Sequence, residues 1–316
     1  MESYKIAIIQ NQLSTQNKNN IDWLESIISD YEWIKLFHTS SSEDINQAVI
    51  ELKKLKIPTI VIDGGDGTIG LVFSSLINIY KNQTFPSIGL ISSGKTNMTA
   101  QSWGIQGSRK FALIRIIKKQ INGELEDSSH AETILKVSRN GKSDIYGTFF
   151  GAANIVDSIL FCRKYIYPLG FPNWFSHTLA FLAFLQKAIF SSKDTNIIHV
   201  SEINDKRNEI WSEKGDFFIL IVTSLSKLLF GLKPESISEL YPTSYLTVKQ
   251  KTLSIISLIP IIIYKKIKKN KFRSIIKPNY IRIKSINNFT LDGEIYETKK
   301  SEIITLSASH KLKFIR

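Results

Sequence analysis

A run of small and acidic residues, VIDGGDGTIG at 61–70, follows directly on an apolar stretch that is typical of a buried strand. Glycines let a backbone approach a phosphate closely, and a helix that starts there offers unpaired N–H groups to the anion. The residues with these properties are Gly64, Gly65 and Gly67, and Thr68 adds a hydroxyl donor. Asp66 would repel a bare phosphate, unless a Mg²⁺ ion lies between the two. The run indicates a nucleoside triphosphate site with a metal, or else a strand-to-helix turn with a capping aspartate.

Two more stretches have residue types that suit the same chemistry. Residues 92–100, SSGKTNMTA, follow the next apolar run and lead through a small, polar turn into a helical pattern. Since ligands bind where the carboxyl ends of neighbouring parallel strands meet, we expect this loop to converge with the first one. Residues 291–297, LDGEIYE, place two acids around one glycine and could hold a general base close to the metal. A plain hairpin turn is the alternative interpretation of this third stretch.

The elements that must position the two glycine loops are apolar runs that alternate with helical patterns over the first 126 residues. The predicted strands cover residues 4–10, 32–40, 59–65 and 86–94. The predicted helices cover residues 17–31, 42–56, 70–80, 97–104 and 108–123. Alternation of this kind is typical of a parallel sheet with helices on both faces.

Beyond residue 126 the pattern changes to short strand-like runs separated by turns. Such runs predict a second, antiparallel domain. Helical patterns at residues 175–192 and 253–272 are expected to be insertions into that domain.

The composition excludes several classes of protein. The chain has 316 residues, of which 43% are hydrophobic, which is enough for two domains with cores of their own. Its one cysteine, Cys162, rules out an intrachain disulfide and fits a reducing compartment. No apolar run reaches the roughly 18 residues of a membrane span, and the N-terminus lacks a signal-peptide pattern. A net charge of +13 favours anionic partners such as nucleotides or an acidic membrane leaflet, and no nucleic-acid-binding module is recognisable.

In order and spacing, three motifs resemble those of the diacylglycerol kinase catalytic family, which includes sphingosine kinases and soluble bacterial lipid kinases. They are GGDGT at 64–68, the G-x-x-N loop from Gly94 to Asn97, and LDGE at 291–294. Further stretches similar to a bacterial branch of that family are residues 96–100, 146–155 and 223–234. The resemblance implies a phosphofructokinase or NAD kinase-like α/β domain and an antiparallel β-sandwich, with ATP in the cleft between them. The implied domains are residues 1–126, joined by a C-terminal strand at 302–316, and residues 127–301.

Matched residue by residue, the resemblance implies a role for each motif. The residues implied to bind the ATP phosphates are Gly64, Gly65, Asp66, Gly67 and Thr68, and Asp66 would face Mg²⁺. The other implied nucleotide contacts are Asn11, either Thr39 or Ser40, Gly94 and Asn97. Glu294 would be the general base, with Asp292 beside it, and would take the proton of a lipid hydroxyl as it attacks the γ-phosphate.

The chain departs from the family pattern at several positions. Gln12 stands where the first strand usually ends in proline, and Met98 replaces an aspartate of the second loop, which removes one candidate from the metal network. Lys95 replaces a threonine of the same loop and could contact a phosphate directly. The acidic metal-site loop of the second domain is replaced by LYPTSYLTV at 240–248, so no metal ligand is expected there.

Together the motifs predict an ATP- and Mg²⁺-dependent lipid kinase of the cytoplasm, with diacylglycerol as its acceptor. Residues 253–273 and 171–186 are the candidates for peripheral membrane contact, with core-packing helices as the alternative for both. The family resemblance also allows a homodimer. Two other functions stay open: an NAD kinase-like enzyme, which shares GGDGT, and a protein that binds lipid or nucleotide without catalysis, which the change at Met98 motivates.

Overall fold

The chain divides into two compact units in the computed structural model. The first unit contains residues 1–134 and 310–316, and the second contains residues 135–309. The structure describes residues 3–18, 20, 22–81, 83–169, 197–229, 232–234, 238–251, 272–275, 279–299 and 301–316. The helical pattern at 175–192, and all of the one at 253–272 except Phe272, lie outside the described residues.

A parallel sheet forms the centre of the first unit. Its strands are β1 (Ile6–Asn11), β2 (Ile34–Thr39), β3 (Thr59–Gly64) and β4 (Ser87–Ser92), in the order β2-β1-β3-β4. All three pairings among them are parallel, and all six residues of β3 are buried. Continuous burial along a strand is expected when both faces of a parallel sheet are covered. The predicted parallel α/β arrangement is confirmed.

Five helices accompany this sheet within the described residues: α1 (Glu25–Ile28), α2 (Ser42–Lys54), α3 (Asp66–Tyr80), α4 (Met98–Trp103) and α5 (Arg109–Ile121). α2 starts with a capping box in which Ser41 and Asp44 satisfy each other's backbone N–H groups. α5 buries Leu113 and Ile116 against Val61 of β3. α2 and α3 pack against each other.

The helix predicted over residues 17–31 is wrong except for the single turn of α1. Asn17 donates through Nδ2 to the main-chain oxygen of Asn11, 2.8 Å away, and its own N–H donates to Ser14 O at 2.9 Å. Asparagine side chains that bond to nearby backbone compete with helix formation. The apolar spacing around Leu24 still brings that side chain into the core, where it is fully buried.

The second unit is built from antiparallel strands, as predicted. They are β5 (Ser129–Arg139), which begins in the first unit, β6 (Ile145–Gly147), β7 (Phe149–Ala153), β8 (Ile197–Ile203), β9 (Glu209–Thr223), β10 (Thr243–Lys249), β11 (Phe272–Ile275), β12 (Tyr280–Lys284), β13 (Asn288–Leu291), β14 (Glu294–Glu297) and β15 (Ile303–Ile315). The first half of β9 pairs with β8, and its second half pairs with β7 and β10. Side chains from β8, β9 and β13, such as Val200, Phe217 and Phe289, belong to one hydrophobic core.

Helical segments are few in the described part of the second unit. α6 (Asn154–Phe161) follows β7 and continues as a π turn, Cys162–Ile166. Cys162 is buried as a free thiol. Among the helices of the described residues, none combines the length and the apolar character that crossing a bilayer requires.

The end of β15 completes the core of the first unit. Phe314 pairs with Ile88 of β4 in parallel and is fully buried. Its ring centroid lies 4.8 Å from that of Trp103 and 5.8 Å from that of Phe73. The C-terminal residues therefore supply an aromatic side chain on which α3 and α4 both pack.

We expect Phe314→Ala to lower the free energy of unfolding of the first unit by about 3–5 kcal/mol, because it leaves a cavity among aromatic side chains. Urea unfolding of the full chain would measure the change. Lys313→Ala is the matched control, since that side chain is exposed and its ion pair with Glu126 is 3.4 Å long and open to solvent. Equal losses in both variants would contradict a role of Phe314 in the core.

Candidate active site

The two glycine loops touch each other at the carboxyl ends of β3 and β4. A Cβ atom added to Gly94 would lie 2.5 Å from Gly65 Cα, and one added to Gly65 would lie 3.0 Å from Gly94 Cα. Ser93 N also donates to Gly64 O at 3.0 Å. The predicted convergence of the first loop (residues 64–68) and the second loop (residues 93–97) is confirmed.

The first loop leads directly into α3. Gly65 is the N-cap residue in an extended conformation, and the free N–H groups of the first helical turn follow it. Gly64 has no room for a side chain, because a Cβ atom there would lie 2.6 Å from Thr68 Cβ. Thr68 is buried, and its hydroxyl accepts a hydrogen bond of 2.7 Å from Asn11 Nδ2. Asn11 and Thr68, two predicted nucleotide contacts, are thereby held side by side.

The second loop is closed by its own asparagine. Asn97 adopts the left-handed conformation, with φ of 52° and ψ of 36°, and is the N-cap residue of α4. Its Oδ1 accepts from Gly94 N at 2.8 Å, and its Nδ2 donates to Gly94 O at 2.9 Å. Lys95, between them, is half-buried. Asn97 thus shapes the backbone around Gly94 and leaves little of its amide for a ligand.

Asp66 links the first loop to the start of α4. Its Oδ2 accepts from Met98 N at 3.0 Å and its Oδ1 from Thr99 N at 2.9 Å. Burial raises the pKa of this carboxyl above its ordinary value, and the N–H groups of Thr99 and Met98 oppose that rise. The capping role that the sequence left open therefore exists, although the helix that Asp66 caps is α4 and not its own.

Carboxylates that could hold a metal ion are scarce around the two loops. Mg²⁺ sites for nucleotides usually combine one or two carboxylates with phosphates and water. Asp66 is the acid of the two loops, and each of its oxygens already accepts one N–H donor. The described residues contain no group of three or more His, Cys, Asp or Glu side chains that could hold an ion. The described residues therefore do not form a ready-made Mg²⁺ site.

The residues predicted after β2 have local partners. Thr39 is buried and donates through Oγ1 to Gln10 O at 3.1 Å. Ser40 is exposed and donates through N and Oγ to Asp44 Oδ2, at 2.8 and 2.9 Å. The geometry therefore favours Ser40 over Thr39 as the hydroxyl that a ligand could reach, and the contact itself remains a prediction.

A buried polar network beneath the loops was missed at the sequence level. Asp63, the residue before Gly64, is fully buried, and both its carboxylate oxygens lie 3.2 Å from Arg109 Nη2. Ser93 Oγ and Gln10 Nε2 donate to the same carboxylate. The available signal was an acid inside an otherwise apolar strand, because a buried carboxylate requires a partner. The identity of that partner had no local signature.

A cleft of about 540 Å³ lies beside this network in the first unit. Trp23, Ser92, Ser108 and Arg109 are among its lining residues, and none of the predicted site residues lines it. The guanidinium of Arg109 lies 4.3 Å from the centroid of the Trp23 ring. The cleft is therefore distinct in its lining from the two glycine loops.

In the second unit, the predicted LDGE motif forms the tight turn of the β13–β14 hairpin. Asp292 and Gly293 both have positive φ, 51° and 90°, as a two-residue hairpin turn requires. The Asp292 carboxylate is buried and accepts from Thr148 N, Thr148 Oγ1 and Phe149 N at 2.8–3.1 Å. Asp292 therefore anchors the turn to Thr148 and to the start of β7. The sequence alone did not predict this structural role.

Glu294 follows this anchored turn and is open to solvent. Its side chain is 50% exposed, and its Oε1 lies 3.9 Å from Arg163 Nη2. Arg163 also donates to Gly293 O at 2.8 Å. The predicted base thus stands on a fixed hairpin with a cation beside it. Glu294 belongs to the second unit and the glycine loops to the first.

We expect Asp66→Ala to lower the free energy of unfolding by about 0.5–2 kcal/mol, because Met98 N and Thr99 N lose their acceptor. Chemical denaturation would measure the loss, with Asp44→Ala at the cap of α2 as a reference for an exposed cap. A gain in stability would show instead that desolvation of the Asp66 carboxylate outweighs its two hydrogen bonds.

We expect Gly147→Ala to destabilise the second unit by about 1–3 kcal/mol, as overpacking does. The new Cβ would overlap Asp292 Oδ2 and lie 2.8 Å from Leu291 Cγ, which would displace the anchored turn. Thermal unfolding would report the loss. Gly215→Ala is the matched control, because an added Cβ there has no atom within 4 Å, and similar shifts in both variants would refute the overlap.

Comparisons with known proteins agree with this geometry. Residues 5–123 match the family model of the diacylglycerol kinase catalytic domain, a range that contains both glycine loops. A solved structure of a diacylglycerol kinase from Bacillus anthracis str. Sterne has a TM-score of 0.61 and 16% identity, covering 100% of this chain and 97% of that chain.

Two further structures from the same organism, of proteins provisionally assigned as diacylglycerol kinases, have TM-scores of 0.63 and 0.64. Each is 16% identical and covers 100% of this chain and 98% of its own. No curated protein matches the chain. At this identity the structures show a shared fold, and what residues 5–123 resemble is the diacylglycerol kinase catalytic domain.

Proposed function

We propose that the protein transfers the γ-phosphate of ATP to the hydroxyl group of a lipid, and that this lipid is diacylglycerol. The observation that carries the proposal is the contact between Gly65 and Gly94, within the range that matches the kinase family. Because neither loop carries a side chain at the point of contact, a triphosphate could approach the backbone N–H groups of the first loop. The start of α3 adds the positive end of a helix dipole.

The two loops would bind Mg²⁺–ATP as a substrate. The N–H groups at the start of α3 would contact the phosphates, and Lys95 would supply positive charge from the second loop. Asp66 would face the ion only through the lone pairs that its donors from Met98 and Thr99 leave unused. Positioning and charge neutralisation account for most of the catalysis in phosphoryl transfer, so rigid loops suit the reaction.

Glu294 is proposed as the general base, on the strength of its match to the family's base and its accessible carboxylate. It would accept the proton of the acceptor hydroxyl while that oxygen bonds to the γ-phosphorus and the bond to ADP breaks. Asp292 would act through the turn that it anchors and not by contact with substrate. Arg163, bonded to Gly293 O, would keep the hairpin in place.

The acceptor lies in a membrane, so the proposal includes peripheral contact with an anionic leaflet from the cytoplasmic side. The candidate segment at 171–186, and all but the last two residues of the one at 253–273, lie outside the described residues. A homodimer remains part of the proposal on the family resemblance alone.

A second candidate, a nucleotide-binding protein without transferase activity, is favoured by one observation. Where the family carries an aspartate, Met98 offers only its N–H group, and that group occupies Asp66. An NAD kinase activity is kept as an outcome of the test below because the first loop alone does not distinguish it.

We expect Glu294→Gln to reduce turnover by about 10²–10⁴-fold while ATP affinity is kept, because the variant removes a general base and no phosphate ligand. Radiolabelled Mg²⁺–ATP would be offered with diacylglycerol, sphingosine or ceramide in mixed vesicles, and with NAD in solution. Glu297→Gln, an exposed acid on the same strand, is the matched control and should keep full activity.

Each other result has a definite meaning. Transfer to NAD and to no lipid would replace the proposal with NAD kinase activity. ATP binding by the wild type without transfer to any acceptor would favour the non-catalytic alternative. Full activity in Glu294→Gln would remove Glu294 from the mechanism.

A further inference from the structure

We propose that Arg109 is a positioning residue whose buried ion pair with Asp63 holds the two glycine loops in their touching arrangement. The clamp consists of Asp63, Ser93 and Arg109. Asp63 directly precedes the first loop, and Ser93 is the first residue of the second. In its effect on nucleotide binding the proposal rests on the proposed function, whereas its effect on loop order does not.

The clamp is part of a closed ring of hydrogen bonds. Arg109 Nη2 bonds to both carboxylate oxygens of Asp63 at 3.2 Å, and Ser93 Oγ donates to Oδ1 of the same carboxylate. Arg109 Nη1 donates to Gln16 O at 3.2 Å, and Gln16 N donates to Ser93 O at 3.0 Å. One guanidinium is therefore linked to Ser93 twice, through Asp63 to its side chain and through Gln16 to its main-chain oxygen.

A branch of the same network reaches a predicted nucleotide contact. Arg109 Nη2 donates to Asn17 Oδ1, and Asn17 Nδ2 donates to Asn11 O at 2.8 Å. Asn11 in turn donates to the Thr68 hydroxyl of the first loop. Displacement of Arg109 would thus loosen the ends of β1, β3 and β4 together.

Charge gives the clamp a second effect. The Asp63 carboxylate is fully buried one residue from the first loop, where an unpaired negative charge would oppose an incoming phosphate. Arg109, whose side chain is 15% exposed, supplies the compensating positive charge. The pair lets the fold keep a carboxylate as the acceptor for Ser93 without repelling an anionic ligand.

The geometry requires arginine and not simply a cation. The guanidinium is planar, lies over the Trp23 ring and donates to three different residues at once. A lysine ammonium keeps the charge but cannot reproduce this fork. Removing one partner of a buried pair leaves the other charge unpaired, which is far more damaging than removing both.

The test compares three variants of the 316-residue chain: Arg109→Met, Arg109→Lys, and the double variant that combines Asp63→Asn with Arg109→Met. Arg115→Met, on the exposed side of the same helix, is the matched control. Hydrogen–deuterium exchange would follow the backbone amides of residues 92–99, several of which bond across to the first loop. This readout needs no ligand.

We expect exchange over residues 92–99 to accelerate by about tenfold or more in Arg109→Met, since the unpaired Asp63 charge would loosen the loops. The double variant should recover part of the protection, Arg109→Lys should be intermediate, and Arg115→Met should match the wild type. Exchange unchanged at 92–99, or raised uniformly over the whole first unit, would overturn the proposal. If Arg109→Met does not fold, Arg109→Lys and the double variant decide by the same criterion.

Mg²⁺–ATP affinity, measured by calorimetry on the same proteins, separates this inference from the proposed function. Weaker binding in Arg109→Met with partial rescue in the double variant would support the clamp as a part of the nucleotide site. Equal affinity in wild type and Arg109→Met would overturn that part. A wild type that binds no nucleotide would refute the proposed function, and the exchange result would still decide whether the clamp orders the loops.

Discussion

The contact between the backbones of Gly65 and Gly94 is the constraint around which the first unit is arranged. Two strand ends can approach this closely only because neither residue carries a Cβ atom. α3 begins at this contact, with Gly65 as its N-cap, and the first N–H groups of α4 bond to Asp66 in the first turn of α3. The N–H groups at the start of α4 are used by Asp66, so the helix start that suits a phosphate here is that of α3.

Such close packing of loops leaves two carboxylates buried, and each of them is paired with donors. Asp63 meets a guanidinium, whereas Asp66 meets two backbone N–H groups. Asp63 connects the end of β3 to Ser93, and Asp66 connects the first loop to the start of α4, so each carboxylate links the two loop regions. The chain lacks an acid at Met98, so the charge balance of this site differs from the pattern that the family resemblance implies.

The second unit solves a similar problem with different residues. The buried carboxylate of Asp292 is satisfied by three donors from Thr148 and Phe149, and Gly147 leaves the space that this docking needs. The buried Asp292 carboxylate therefore fixes the hairpin, while the Glu294 side chain stays accessible to solvent.

Local signals in the sequence determined the alternation of strands and helices, the positions of both glycine loops and the turn before Glu294, because periodicity, caps and glycines act between near neighbours. They failed for residues 17–31, where Asn17 takes backbone partners that an apolar spacing does not reveal. Only the tertiary structure decided that Asp63 pairs with Arg109, 46 residues away, and Asp292 with Thr148, 144 residues away. The partner of a buried polar group is set by long-range packing, which leaves no trace in the residues next to it.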